Sequence, residues 1–244
     1  MAAKDAQNRL EKKLVVLSGA GISAESGVAT FRGSGGLWEG YDIREVATPE
    51  AWAADYKRVL EFYNARRRNI SAVEPNKAHR LLAEMESWCD VQIVTQNIDN
   101  LHEQAGSTHV LHLHGEITKA CSSKGKNHIT EIGFEDIADG DVCPEGYQMR
   151  PFIVWFGEDV PNIEYAAQLV RTADVLLIIG TSLEVYPAAG LVNYLESHVP
   201  IYVIDPEPVQ HKMAVPNTVT HIAKGGRDGM QEFMDLLKNN LNSA

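Results

Sequence analysis

Apolar residues in this chain recur in short runs. Leu14 to Leu17, Val91 to Thr95, Val110 to Leu113, Phe152 to Trp155, Val175 to Ile179, Ile201 to Ile204 and Val219 to Ile222 each end in a polar or glycine-containing turn. Runs of this length with polar bounds predict strands buried on both faces. Between several of them lie Asn76 to Glu86, Ile163 to Thr172, Pro187 to Ser197 and Gly229 to Leu241, which read as helices. Strands alternating with helices predict an α/β fold, a Rossmann-like parallel sheet with helices on both faces and ligands at the carboxyl ends of the strands. Two stretches break the alternation. Thr48 to Ser71 is helical in composition, and Ala120 to Gln148 is polar, contains glycine and lacks apolar periodicity. They predict a small lobe, about 39–75 and 119–149, inserted into a large one, about 12–38, 76–118 and 150–241. The cleft between lobes is then the expected ligand site.

Composition narrows the setting. With 244 residues, 44% of them hydrophobic, the chain can bury one substantial core and a small appended lobe. A formal net charge of −11 argues against nonspecific binding to nucleic acid or anionic membranes and is compatible with cationic protein segments as partners. Three cysteines, Cys89, Cys121 and Cys143, form no disulfide framework and suit a reducing cytosol. The polar stretch Met1 to Lys13 has no apolar targeting core, and no run reaches membrane-spanning length. A soluble cytoplasmic protein is expected.

The first strand runs into Gly19, Gly21 and Ala24, the spacing G-x-G-x-x-A. In a nucleotide site one glycine makes the turn, the second admits a pyrophosphate and the small third residue allows close helix packing; an ordinary glycine-rich turn has the same sequence. Beyond it, Ser26-Gly27 and Thr30-Phe31-Arg32-Gly33-Ser34-Gly35-Gly36-Leu37-Trp38 read as a glycine-laden loop able to fold over a ligand. Gly19-Ala20-Gly21-Ile22-Ser23 with Ser26-Gly27 and Phe31-Arg32 resembles the first signature of the sirtuins, the NAD-dependent protein deacylases. The resemblance implies NAD contacts through these residues and Trp38.

Gln96, Asn97 and Asp99 gather at the end of the second strand, either as a site or as a capped loop in which Asp99 starts a helix. Gln96-Asn97-Ile98-Asp99 is similar to the second sirtuin signature. By that resemblance Asn97 and Asp99 bind the nicotinamide ribose and carboxamide region, and Gln96 lies against the ribose. In His112-Leu113-His114-Gly115 the two histidines share one strand face, so a metal pair, a general base and plain structural histidines are all open on the residues alone. The family's apolar strand ending in His-Gly places the catalytic histidine at His114, with His112 a neighbour. Gly180-Thr181-Ser182 resembles a further NAD contact near the adenosine. Asp205 ends a strand where a carboxylate can accept from a ribose diol. The family more often has Asn there and Pro206 also departs from it, so the contacts at Asp205, Pro206 and Glu207 are altered in detail, and Gly226 lies near the last adenine contact.

For the substrate, the resemblance implies that Val154, Phe156, Gly157 and Glu158 sandwich an acyl-lysine peptide as an added strand against the segment containing Val185. Tyr63 and Arg66 are three apart on one helix face, where phenol and guanidinium can together grip a carboxylate. Arg67 and Arg68 read as a solvated basic patch. The Tyr-x-x-Arg pair resembles the acyl-carboxylate reader of the desuccinylase-type sirtuins, with Ala51 leaving room for a longer acyl chain. Most sirtuins hold a structural zinc with paired Cys-x-x-Cys motifs. Here the region offers Cys121 and Cys143 with His128 between, which does not close a four-ligand site, so no zinc and a small lobe held by packing alone are expected. The activity implied is NAD-dependent lysine deacylation, deacetylase or desuccinylase and demalonylase, with the acyl group passing to ADP-ribose and nicotinamide released. A metal-dependent hydrolase using His112 and His114, and a noncatalytic module binding NAD or ADP-ribose, are the alternatives.

Overall fold

The computed structural model describes residues 12–30, 40, 42–208 and 213–242. In chain order its elements are β1 (Lys13–Ser18), α1 (Ala20–Ala24), α2 (Ile43–Val46), α3 (Pro49–Ser71), α4 (Lys77–Met85), β2 (Asp90–Thr95), α5 (Leu101–Gln104) and β3 (Val110–His112). They continue with β4 (Gly115–Ser122), β5 (Thr130–Glu131), β6 (Met149–Ile153), α6 (Ile163–Arg171), β7 (Val175–Ile179), a 3-10 helix (Ala188–Tyr194), β8 (Ile201–Ile204), β9 (Val219–Ile222) and α7 (Gly226–Asn242).

Six strands form one parallel sheet in the order β3-β2-β1-β7-β8-β9. The chain leaves β1 toward one side of the sheet and later returns to its other side, which makes the β1/β7 boundary the switch point where open α/β sheets bind ligands. Side chains alternate across β1. Leu14 and Val16 pack with α4 and α7 on one face, against Leu82, Met85 and Phe233. Val15 and Leu17 pack on the other, against Ala166 and Val170 of α6 and Leu191 of the 3-10 helix. Both faces are covered, as continuous apolar strands require.

The register decides where the site lies. His112 pairs with Thr95, Thr95 and Ile179 both pair with Ser18, and Ile179 pairs with Ile204. The five strands therefore stop level with one another, and the residues that follow them emerge along a single edge.

Two expected elements take different forms. Residues 152 and 153 of the apolar run Phe152 to Trp155 lie in β6, which pairs antiparallel with β4 in a second sheet ordered β5-β4-β6. No crossover helix separates β4 from β6, and a parallel pairing needs one. The stretch after Pro187 is a 3-10 helix and not an α-helix. Gly190, Val192 and Asn193 all have low α propensity, and a short tight helix serves as a connector.

The second sheet and α3 build the smaller lobe. Arg67 corrects the solvated-patch expectation. It is fully buried, and its Nε donates to the Ile117 carbonyl at 2.8 Å while Nη1 donates to Asn64 Oδ1 at 2.7 Å. Asn64 in turn donates to the Ile137 carbonyl and accepts from its N–H. The lobe is thus held by buried hydrogen bonds as well as by the packing of Leu60, Ala120 and Ile137. Arg68 fits the expectation, half-exposed and paired with Glu61 and Asp136.

Gly180 carries a prediction of its own. Its φ is +62, and a Cβ there would sit 2.2 Å from the Ile22 nitrogen, a backbone atom with nowhere to go. Left-handed backbone alone costs a non-glycine residue roughly 1 to 2 kcal/mol, and the clash adds to it. Gly180→Ala should lower the melting temperature by about 5 °C or more; an unchanged melting curve would show that the two turns do not meet as described.

Candidate active site

A cavity of ≈ 350 Å³ opens along the level strand ends. Gly19, Ala20 and Gly21 line it from β1, Gln96, Asn97 and Ile98 from β2, His114 from beyond β3, Gly180, Thr181 and Ser182 from β7, and Asp205 from β8. Asp205 and His114 thus stand four strand spacings apart, about 19 Å, the reach of an extended dinucleotide. Ile22, Ser23 and Asp99 lie buried beneath this lining. Pro206, Glu207 and Gly226 are not part of the wall; Glu207 folds back to donate its N–H to Asp205 Oδ1 at 2.9 Å. Phe31, Arg32 and Trp38 lie outside the described residues.

The glycine turn does more than leave room for a ligand. Gly19 N–H donates to the Ile179 carbonyl at 3.1 Å and Gly21 N–H to the Gly180 carbonyl at 2.8 Å. A Cβ on either residue would lie 2.7 Å from an atom of the 180–181 turn. Both amides are spent on the neighbouring turn, so these glycines serve backbone-to-backbone contact at the switch point.

Behind the cavity a polar network fixes the second signature. His79 Nδ1 accepts from the Asn76 N–H at 3.3 Å, which puts the ring proton on Nε2, 3.5 Å from Ser23 Oγ. Ser23 also accepts from Asn97 Nδ2 at 3.1 Å and donates to Asp99 Oδ2 at 3.1 Å. Asp99 Oδ1 takes the Leu101 N–H at 3.2 Å from one residue before the N-cap, Asn100, so Asp99 does tie down the start of α5. Burial pushes His79 down to about 4 and the Asp99 carboxyl upward. His102, in contact with Ser18 Oγ at 3.0 Å, is driven well below the usual histidine range by burial and the neighbouring His79 and His112. Gln96 Nε2 donates to Thr181 Oγ1 at 3.0 Å, bridging the ends of β2 and β7 over β1.

The two histidines of the third motif have parallel contacts and different surroundings. His114 Nδ1 lies 3.0 Å from the Gln96 carbonyl oxygen, so Nδ1 carries the proton and Nε2 the lone pair. Burial lowers its pKa, outweighing that hydrogen bond, so His114 is a neutral base at pH 7. His112 Nδ1 lies 2.8 Å from the Asn97 carbonyl oxygen and its Nε2 2.8 Å from Glu103 Oε1. Among the described residues no group of three metal donors includes His114, which removes the support for a metal pair. His112, Glu103 and Glu116 do cluster, but Glu116 is paired with Lys119 at 2.5 Å. In the small lobe His128, Cys143 and Glu145 cluster; Cys121 is not of that group and its thiol faces the Pro151 carbonyl.

The cavity continues past His114 between Tyr63, Ala47, Ile153 and Trp155. Tyr63 is buried, which pushes its phenol up to about 12 against the Trp155 indole and the Arg66 guanidinium. Arg66 is buried one helical turn behind Tyr63, and Ala51 packs in the apolar cluster around Tyr63 and Trp155; neither forms the wall itself. Val154, Phe156, Gly157, Glu158 and Val185 all line the opening, with Phe156 and Tyr186 exposed at its rim. The Glu158 carboxylate is turned inward. Arg150 meets both its oxygens, at 2.8 and 3.3 Å, and Lys126 Nζ and the Trp155 N–H reach it at 2.8 and 2.7 Å. Arg150 is a site residue that the sequence reading passed over; its guanidinium carbon stands 3.2 Å from the Trp155 ring centroid.

A switch-point cavity reaching from an acidic strand end to a neutral, half-buried histidine is the arrangement of a dinucleotide-binding α/β protein. The sequence pattern of the Sir2 family matches residues 19–187. A Bacteroides thetaiotaomicron protein named NAD-dependent protein deacylase is 50% identical over 231 residues, covering 93% of this chain and 98% of its own. Among solved structures, a Sir2 homologue in complex with NAD superposes with a TM-score of 0.82 at 34% identity, over 99% of this chain and 95% of that one. A Sir2 protein with a deacetylated p53 peptide and 3'-O-acetyl ADP-ribose gives 0.76 at 26% identity, over 96% and 97%. This chain belongs to the Sir2 family.

Proposed function

We propose that this chain removes acyl groups from protein lysines with NAD as co-substrate, favouring acyl groups that end in a carboxylate. Family membership makes it an NAD-dependent protein deacylase, an enzyme that transfers the acyl group to ADP-ribose. The observation that carries the site assignment is His114, whose protonated Nδ1 is held on the Gln96 carbonyl while its ring lines the junction between the strand-end half of the cavity and the Tyr63 half.

NAD, when bound, supplies a ribose carbon with nicotinamide as its leaving group. Asn97, fixed by Ser23, and Gln96, fixed by Thr181, hold that end in place. Asp205 suits the ribose at the other end. Trp155 and Tyr63 wall in the acyl-lysine so that its amide oxygen faces the ribose, and water is excluded by the apolar lining. His114 Nε2 then takes a proton from a ribose hydroxyl as the acyl group migrates. The overall balance is acyl-lysine, NAD and water to lysine, nicotinamide and acyl-ADP-ribose. A peptide added as a strand is supported by the opening itself, which Val154, Phe156, Gly157 and Val185 line.

The preference for a terminal carboxylate is supported by Tyr63 on the wall and by the buried Arg66 behind it. Burial pushes the Arg66 guanidinium down, and the neighbouring Tyr63 and Asp99 oppose that. An absence of zinc is supported by the donor set, in which Cys121 stands apart from His128, Cys143 and Glu145. The cytoplasm is the proposed compartment, supported by three unpaired buried cysteines.

His114→Ala should cut acyl-lysine turnover by a factor on the order of 10² or more while NAD still binds, as measured by mass spectrometry of an acylated peptide and by calorimetry. Loss of activity in His112→Ala with a near-normal His114→Ala would reverse the assignment. Arg66→Met keeps side-chain length and removes a charged donor contributing roughly 1.5 to 3 kcal/mol. It should raise KM for a succinyl-lysine peptide tenfold or more and affect acetyl-lysine much less; equal losses on both would mean that Arg66 supports the fold instead. Metal analysis should find well under one zinc per chain, with a melting temperature indifferent to chelator, and stoichiometric zinc would overturn that part of the reading.

A further inference from the structure

His112 lies behind the 96–99 turn, only 8% exposed, and the family signature leaves it without a task. Its Nδ1 faces the Asn97 carbonyl and its Nε2 faces Glu103, each at 2.8 Å, and both partners only accept. A neutral imidazole has one N–H and satisfies one of them; an imidazolium satisfies both. The backbone of His112 is fixed as well, its carbonyl accepting from Asn162 Nδ2 at 3.0 Å. His112 and His114 thus use the same ring nitrogen on successive carbonyls of one turn, and only His112 has a carboxylate behind it.

We propose that His112 is a positioning residue for NAD: charged and clamped between Glu103 and the Asn97 carbonyl, it fixes the peptide that presents Asn97 and Asp99 to the nicotinamide end. The inference rests on the reading that this turn holds that end of NAD.

The surrounding charges favour the clamp. Glu103 on α5 and Glu116 on β4 both stabilise the imidazolium, as does Asp99 in the turn itself. Lys119 on β4 is drawn off to Glu116 and Glu131, and His102 on α5 is neutral. Burial alone would lower the His112 pKa, but the Glu103 carboxylate and the Asn97 carbonyl outweigh it and hold it above the usual 6.5. The sign follows. The clamp is complete below about 6.5 and is lost as pH rises through the raised value. With Glu103→Gln the amide can turn its NH2 toward Nε2, so a neutral ring keeps its Nδ1–H on the Asn97 carbonyl and the clamp no longer depends on the charge of the ring.

NAD binding followed by calorimetry from pH 6 to 9 tests this without requiring turnover. Wild-type affinity for NAD should fall about tenfold from pH 6 to pH 9, whereas Glu103→Gln should bind NAD with a flat profile, and KM for an acetyl-lysine peptide should change less than twofold over the same range. His112→Gln offers the Asn97 carbonyl an N–H that does not titrate, and should bind NAD with a flat pH profile over this range. Superposable profiles for the wild type and Glu103→Gln would overturn the proposal, as would equal weakening of NAD and peptide. A wild type that binds no NAD at any pH would remove the site reading itself, and the inference with it.

Discussion

Two turns meet at the centre of the sheet with no side chain between them, and the cavity depends on that contact. Gly19 and Gly21 press against Gly180, and the backbone N–H groups of the first turn close on the carbonyls of the second. Any Cβ at these three places would push β1 and β7 apart at their ends. Gln96 would then lose Thr181, and the edge along which the strands stop would no longer be level. The short run of small residues that draws the eye as a phosphate cradle is, in this chain, first a device for closing a seam.

Above that seam, chemistry is divided among histidines by the company each keeps. His79 accepts from a backbone N–H and is neutral, His114 donates to a carbonyl and keeps a lone pair for the cavity, and His112 stands between a carbonyl and a carboxylate. One side-chain type thus meets three different sets of partners within one small volume. Partner type decides among these roles, because burial pushes all of them toward the neutral form and only a carboxylate reverses it.

The parallel sheet was legible because its central strands, β1, β7 and β8, are buried on both faces and so are written as apolar runs. Residues that line the cavity were legible where they follow those runs directly, as Asn97, His114 and Asp205 do. What stayed hidden depends on contacts between distant parts of the chain. Arg67 carries no local sign that it will be buried, since its partner is a carbonyl fifty residues away in sequence. Arg150 and Glu158 are eight apart, a spacing that matches no helix face and becomes a pair only when the turn at Gly157 folds. Phe152 to Trp155 reads like the other strands because burial on two faces looks the same in either sheet; only the missing crossover tells them apart. His79 left a trace, the Asn76 to His79 spacing of a capping box with histidine in the place of a glutamate.

The placement of β4 has a mechanical consequence. It begins at Gly115, one residue after the base, and runs for eight residues into the middle of the second sheet. Gly115 itself is jammed, with a φ of +81 and no room for a Cβ against the Phe152 carbonyl. An extended strand of that length spans about 26 Å, fastened at one end to His114 and at the other to the lobe, with a register shift against β6 between Gly115 and Ala120. The lobe and the His114 imidazole are therefore joined by one short length of backbone, and a displacement of either reaches the other.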